Sequence, residues 1–259
     1  MTRIYTFVNQ KGGVGKTTTA INLGAYLAQL GQRVLIVDLD PQANATSSLG
    51  VDKNKVAGGT YEVLLDLLPP DALPLHNERL KMSILPSSPS LAGAEVELVN
   101  ELARETRLQR ALEKLNNRYD YILIDCPPSL GLLTVNGLVA ARDGVVIPVQ
   151  CEYLALEGLG QLTQTINRVR AALFPDLKVR GVVLTMFDPR TNLAADVVDE
   201  VNKHFPKQAF HSVIPRSIRL AEAPSYGLPI SAYAPGSTGA KAYEALAREV
   251  LKGDGVKIS

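Results

Sequence analysis

Asn9-Gln10-Lys11-Gly12-Gly13-Val14-Gly15-Lys16-Thr17-Thr18-Thr19 follows directly on the apolar run Ile4-Tyr5-Thr6-Phe7-Val8. Three glycines within four residues, then Lys-Thr-Thr and an apolar helical pattern, allow backbone N–H groups to wrap a phosphate chain at a helix N-terminus. Gly12, Gly13 and Gly15 let the backbone approach without an intervening Cβ. In such a loop Lys16 neutralises the outer phosphate oxygens and the Thr17 hydroxyl ligates Mg²⁺. The usual spacing, G-x-x-x-x-G-K-[ST], would put its first glycine at position 10. Gln10 stands there, and a second lysine, Lys11, enters the loop instead.

Outward from this loop, Thr18 to Leu30 has the apolar pattern of a helix, and Arg33 to Val37 is a continuous apolar strand of the kind buried in a parallel sheet. That strand runs into Asp38-Leu39-Asp40, which places two carboxylates at a strand's carboxyl end, where ligands sit in open α/β sheets. Tyr121 to Ile124 ends in Asp125, a Walker B arrangement in which the carboxylate serves the Mg²⁺ shell through water or through Thr17. Further strands are predicted at Met82–Leu85, Gly144–Val149 and Val179–Met186. Helices are predicted over Tyr61–Leu68, once or twice within Leu91–Leu115, from the QCEYLALEGL stretch to about Leu173, and over Asn192–Phe205 and Ala240–Leu251. The alternation predicts an α/β fold: a single Rossmann-like P-loop NTPase domain, its mostly parallel sheet flanked by helices on both faces. Residues 51–80 read as surface elaboration, and the Glu- and Arg-rich 91–115 stretch as a solvated face.

With 259 residues, 46% of them apolar, the chain can bury one large core. It shows no 18-residue apolar run and no secretory leader, so a cytoplasmic location is expected. Cys126 and Cys151 lack metal-ligand spacing and read as buried, reduced thiols. A net charge of +1 excludes the blanket basicity of a general nucleic-acid binder, so any DNA contact must be a local patch. Asn202-Lys203-His204-Phe205 lacks the carboxylate of a guanine-reading box, which favours ATP.

Four stretches carry a family resemblance: NQKGGVGKTTTAINLGAYLA, VLIVDLDPQANAT, YDYILIDCPPSLGLLTVNGL, and LTMFDPRTNLAADV with VIPRSIRLAEAPSYGLPI. Together they resemble the ParA/Soj partition ATPases. These belong to the deviant Walker A group that also holds MinD, the nitrogenase iron protein and the arsenite-pump ATPase. The resemblance implies one ParA-type domain over 1–259, in the short form without a preceding helix-turn-helix, ending in a short polar tail at 253–259. It implies catalytic roles for Lys11, Lys16 and Asp40, with Lys11 reaching the partner subunit's nucleotide and Asp40 orienting the attacking water. Nucleotide contacts would come from Lys11, Gly12, Gly13, Val14, Gly15, Lys16, Thr17 and Thr18, with Glu152 touching ribose across the interface. Met186, Phe187, Pro215 and Arg216 would flank adenine. Metal contacts would come from Thr17, from Asp125 through water, and from Asp40 as a further water-mediated contact. Arg190 and Arg219 would lead a DNA surface, with Lys203, Lys207 and Lys252 as lesser contributors.

The implied cofactors are ATP and Mg²⁺. The implied partners are a second copy of the chain, non-specific double-stranded DNA and a ParB-type centromere-binding protein, with nucleoid association and no membrane. Two departures stand out: Gln42-Ala43-Asn44 where glycine is common, and Pro235 to Gly239 where a more basic loop often stands. Three other readings share the loop. A MinD-like membrane ATPase wants a C-terminal amphipathic helix, whereas Tyr243, Leu246, Val250 and Leu251 are expected in the core. A metabolic ligase needs a pocket for a carboxylate substrate. A cargo-positioning or secretion-associated ATPase would keep the dimer without acting on DNA.

Overall fold

The computed structural model describes residues 1–152 and 155–257. Tyr153 and Leu154, in the stretch leading into the expected long helix, and Ile258 and Ser259, in the expected polar tail, lie outside the described residues. Seven strands form one sheet: β1 (Arg3–Phe7), β2 (Val34–Asp38), β3 (Leu75–Asn77), β4 (Met82–Leu85), β5 (Tyr121–Asp125), β6 (Gly144–Gln150) and β7 (Val179–Thr185), in the spatial order β3-β4-β2-β5-β1-β6-β7. Every pairing is parallel except β3 on β4, which is antiparallel. Parallel strands need crossovers, and the helices between strands are α1 (Lys16–Gln29), α2 (Asn44–Ser48), α3 (Thr60–Leu64), α4 (Leu91–Glu97), α5 (Arg107–Glu113), α6 (Leu132–Ala140) and α7 (Ala155–Ala172), while α8 (Asn192–His204) follows the last strand. The short α9 (Ile218–Glu222) and α10 (Ile230–Tyr233) lead into the closing α11 (Thr238–Gly253).

Alternation within the central strands separates two apolar layers. Tyr5 and Phe7, Val34 and Ile36, and Tyr121 and Leu123 face the layer of α1 and α11, packing with Leu23, Leu27, Tyr243 and Leu246. Leu35 and Val37 with Ile122 and Ile124 face Leu91, Leu98, Leu108 and Leu133 on the other side. Under β6 and β7, Ile147, Val149, Val182 and Leu184 meet Leu162 and Ile166 of α7 and Val197 and Val201 of α8. Both faces of the sheet are therefore dry, which is why these strands read as unbroken apolar runs. Tyr243, Leu246, Val250 and Leu251 are each at most 1% exposed, so the terminal helix spends its apolar stripe on the core.

Several elements depart from the pattern read in the sequence. α3 stops at Leu64 rather than near Leu68, and Asp66 at φ 55° is incompatible with continuing a helix there. The 91–115 stretch breaks at Ala103, φ 53°, into α4, two short 3₁₀ turns and α5. α6 was not expected, because LLTVNGLVA is apolar on nearly all sides and shows no polar stripe. Gly137 lets α6 lie against the sheet: a Cβ there would come within 2.6 Å of Cys126 Sγ, and Thr6 Oγ1 donates to Gly137 O at 2.6 Å.

The C-terminal end is latched to the sheet by one buried carboxylate. Asp254, with its side chain 3% exposed, accepts from Tyr5 Oη at 2.7 Å, Tyr121 Oη at 2.9 Å and Arg180 Nη2 at 3.0 Å. Arg3 donates to its main-chain oxygen. Burial first, and then Asp254, push both phenols upward in pKa. No helix among the described residues is long and apolar enough to cross a membrane.

Candidate nucleotide-binding site

β1, β2, β5 and β7 all deliver their carboxyl ends to one rim, and β1 lies where the chain turns to build the sheet on both sides. From β1 the loop is braced by Asn9, whose Nδ2 donates to Pro148 O at 2.7 Å while its Oδ1 accepts from Lys11 N at 3.0 Å. Gly13 and Gly15 sit at φ 74° and 89°, a region that favours glycine. Gly12 does not, so its role is space: a Cβ at Gly12 or Gly13 would meet nothing within 4 Å. Val14 is buried, and its carbonyl accepts from Thr185 Oγ1 at 2.8 Å, fastening the loop to the end of β7.

A cavity of 460 Å³ opens over the loop, bounded by Gly12, Gly13 and Gly15 to Thr18 and, opposite, by Asp40, Gln42, Asn44 and Ser48. Lys16 opens α1 and is 7% exposed, with Nζ donating to Lys11 O at 3.3 Å. Burial draws its pKa down, against the pull of Asp125. Thr17 Oγ1 donates to Asp125 Oδ2 at 2.6 Å, while Asp125 Oδ1 is buried without a partner. Burial, and then neighbouring Asp38, push the Asp125 carboxyl well up. A hydroxyl beside an unpartnered carboxylate oxygen fits Mg²⁺, which keeps most of its waters and takes few protein ligands. Thr17 would hold it directly and Asp125 through water.

Asp38 and Asp40 stand beside this pair. Asp38 is wholly buried, and burial raises its pKa to about 6 despite hydrogen bonds from Thr46. Asp40 is 6% exposed, with Oδ1 accepting from Gln42 N at 2.9 Å.

A second cavity, 270 Å³, shares Gly15, Thr18 and Met186 with the first and continues to Ile214, Pro215, Arg216, Leu220 and Tyr243. Its size and apolar walls suit a planar base. Met186 takes φ 53° at the end of β7, a strained backbone for a non-glycine residue, at the junction of the two cavities. Phe187 does not line either cavity. Its half-buried ring packs against the edge of the core beside β7, while its backbone pairs with Ile214 O and Arg216 N and so positions Pro215 and Arg216. Leu220, Ile214 and Tyr243 were missed as pocket residues. Leu220 lies within the quoted LAEAPSYG stretch, whereas Tyr243 carried only a core signal.

The remaining candidates lie outside both cavities. Glu152 accepts from Arg216 at 2.8 Å, which puts it at the mouth of the apolar cavity. The Lys11 side chain lines neither cavity and makes no hydrogen bond or ion pair among the described residues. Arg190 forms a two-pronged pair with Asp188 at 2.8 and 2.6 Å, with its own side chain 84% exposed, and holds the Asp188 carboxyl below the usual range. Arg219 pairs with Glu222 at 2.9 Å on α9. Lys203 pairs with Glu200 at 2.6 Å, and Lys207 is exposed. Lys252 neighbours the Asp254 latch, at the opposite end of the sheet from Arg190 and Arg219.

Fold and site together define a P-loop nucleotide-binding protein of the deviant Walker A type. The sequence profile of the AAA-domain family matches residues 2–179. The chain is 55% identical over 253 residues to the chromosome partitioning protein ParA of Myxococcus xanthus, covering 97% of this chain and 89% of that protein. To the sporulation initiation inhibitor protein Soj of Bacillus subtilis it is 54% identical over 252 residues, covering 96% and 98%. A solved structure named as a cobyrinic acid a,c-diamide synthase of Mycobacterium smegmatis, with bound ATP analogue and magnesium, superposes with a TM-score of 0.86 at 42% identity, covering 97% and 95%. The chain belongs to the ParA/Soj family of partitioning ATPases.

Proposed function

We propose that the protein is an ATP-dependent DNA-partitioning ATPase whose ATP-bound state is a homodimer closed over two nucleotides. The observation that carries this reading is Lys11, an amine placed in the phosphate loop yet lining neither cavity and paired with nothing among the described residues. A lysine so placed is available to a phosphate on a facing copy. Bound Mg²⁺ would neutralise charge on the outer phosphates. Lys16 trades the Lys11 carbonyl for phosphate oxygens, and the loop amides supply further donors. Asp40, with Oδ1 held by Gln42, lines the phosphate cavity and would orient a water there. Its carboxylate orients that water without covalent help, and slow hydrolysis would act as a timer. Two loops carrying like charge repel unless triphosphates lie between them, which links dimerisation to ATP.

Arg190 and Arg219 are held in exposed ion pairs among the described residues, and such pairs contribute little, so DNA phosphates can displace Asp188 and Glu222 at little cost. Doubling that patch across a two-fold axis gives sequence-independent, salt-sensitive affinity. A ParB-type partner would stimulate hydrolysis and release the complex from the nucleoid. Sizing with a non-hydrolysable ATP analogue and Mg²⁺ tests the reading: wild type elutes as a dimer, whereas Lys11→Ala binds nucleotide and stays monomeric. A Lys11→Ala dimer would rule out the trans-acting lysine. The intramolecular pairing of both arginines supports a second reading, a positioning ATPase that does not act on DNA, for which ATP would not raise retention on random duplex. The synthase named among the solved neighbours suggests a ligase instead. ATP hydrolysis without any added carboxylate substrate separates that case.

A further inference from the structure

Asp40 is gripped at both ends of its own backbone. Its N–H donates to Asp38 Oδ1 at 3.2 Å, and its carbonyl accepts from Ser87 Oγ at 2.8 Å and from Ala43 N at 2.8 Å. The two grips are joined. Asp38 Oδ2 accepts from Thr46 N at 2.8 Å and Thr46 Oγ1 at 2.7 Å, and Thr46 Oγ1 in turn accepts from Ser87 N at 2.9 Å. Asp38, Thr46, Ser87 and Asp40 thus close a ring of hydrogen bonds in which Asp38 and Thr46 are 0% and Ser87 1% exposed. Thr60 Oγ1 anchors the ring from behind by donating to Asp38 O at 2.6 Å.

The ring spans three elements, since Asp38 ends β2, Thr46 lies in α2 and Ser87 follows β4. Between Asp38 and Thr46 the chain passes through Ala43 at φ 54°, a conformation that needs support from outside itself. The same α2 turns Asn44 and Ser48 toward the phosphate cavity. A buried, fully partnered polar network of this kind specifies one backbone arrangement and makes departures from it costly. None of Asp38, Thr46 and Ser87 lines either cavity of the site.

We propose that Asp38, acting through Thr46 and Ser87, is a positioning device that holds Asp40 in register with the attacking water. This rests on the reading of Asp40 as the residue that orients that water. Thr46 is the point at which to break the ring, because valine keeps its shape and backbone N–H but removes the hydroxyl that joins Asp38 to Ser87. Misplacing a reacting group by a fraction of an ångström to 1 Å costs up to about a hundredfold in rate.

The test compares steady-state kcat and KM for Mg-ATP, with binding of a fluorescent ATP analogue, across wild type, Thr46→Val, Thr46→Ser and Asp40→Ala. Thr46→Val is expected to lower kcat about tenfold or more while leaving KM and analogue affinity within about twofold. Thr46→Ser, which keeps the hydroxyl, is expected to restore kcat to within about twofold of wild type. Wild-type kcat in Thr46→Val overturns the proposal, as does a parallel loss of kcat and nucleotide affinity that serine fails to rescue. If Asp40→Ala is inactive while Thr46→Val is normal, only the ring's role falls. If Asp40→Ala hydrolyses at the wild-type rate, the reading of Asp40 falls and takes this proposal with it. Should Thr46→Val not fold, Ser87→Ala removes the hydroxyl on Asp40 O and carries the same expectations.

Discussion

Lys16 donates through Nζ to a carbonyl at 3.3 Å in a setting where burial already weakens its charged form. A phosphate oxygen offers that ammonium a stronger, charge-assisted partner, worth about 1.5–3 kcal/mol for one such hydrogen bond. Lys16→Ala should therefore reduce ATP affinity by about a hundredfold, measured with a fluorescent analogue, and leave the thermal unfolding midpoint nearly unchanged. Lys16, Thr17, Asp40 and Asp125 could be read directly from the sequence because each is fixed by a short motif at the end of an apolar run. Phe187 could not. It lies just beyond the end of a strand, where one step along the chain decides whether a ring leans on the core or lines the cavity, and only the pairing of its backbone with Ile214 and Arg216 shows which.

Among elements, the join between β4 and α3 is built on a contact that no residue pattern displays. A Cβ on Gly59 would lie 2.1 Å from Pro86 O, a main-chain atom that cannot rotate away. Gly59→Ala should destabilise the fold by about 1–3 kcal/mol in urea unfolding. Gly236→Ala, where an added Cβ meets nothing within 4 Å, should change little. The same distinction explains α6. An amphipathic helix such as α8 or α11 displays its period in sequence, whereas a helix buried nearly all round offers no polar face to count. β3, three residues on an exposed antiparallel edge, is too short for alternation to register.

For the whole molecule, closure of the C-terminus on the first strand and the assembly of two copies are the properties most open to test. Asp254→Ala would leave Arg180 and the hydroxyls of Tyr5 and Tyr121 without their shared acceptor. Breaking one side of such a buried pair costs about 3–5 kcal/mol, so the urea midpoint should fall sharply. Arg219→Glu should abolish ATP-dependent retention on random duplex DNA while basal hydrolysis persists, and the retained wild type should elute steeply with salt. From sequence alone came the α/β class, the phosphate loop, the strand-end carboxylates Asp38, Asp40 and Asp125 and the burial of the last helix, because strand and helix periods and a phosphate-wrapping loop are local properties. Tertiary structure alone decided the order of the strands, the meeting of Leu220 and Tyr243 around one cavity, and the ring joining Asp38, Thr46, Ser87 and Asp40. Each of these depends on at least one contact between residues far apart in the chain, as Ser87 is from Asp40 and Thr46, and no local period or motif encodes which distant partner a buried polar atom will find.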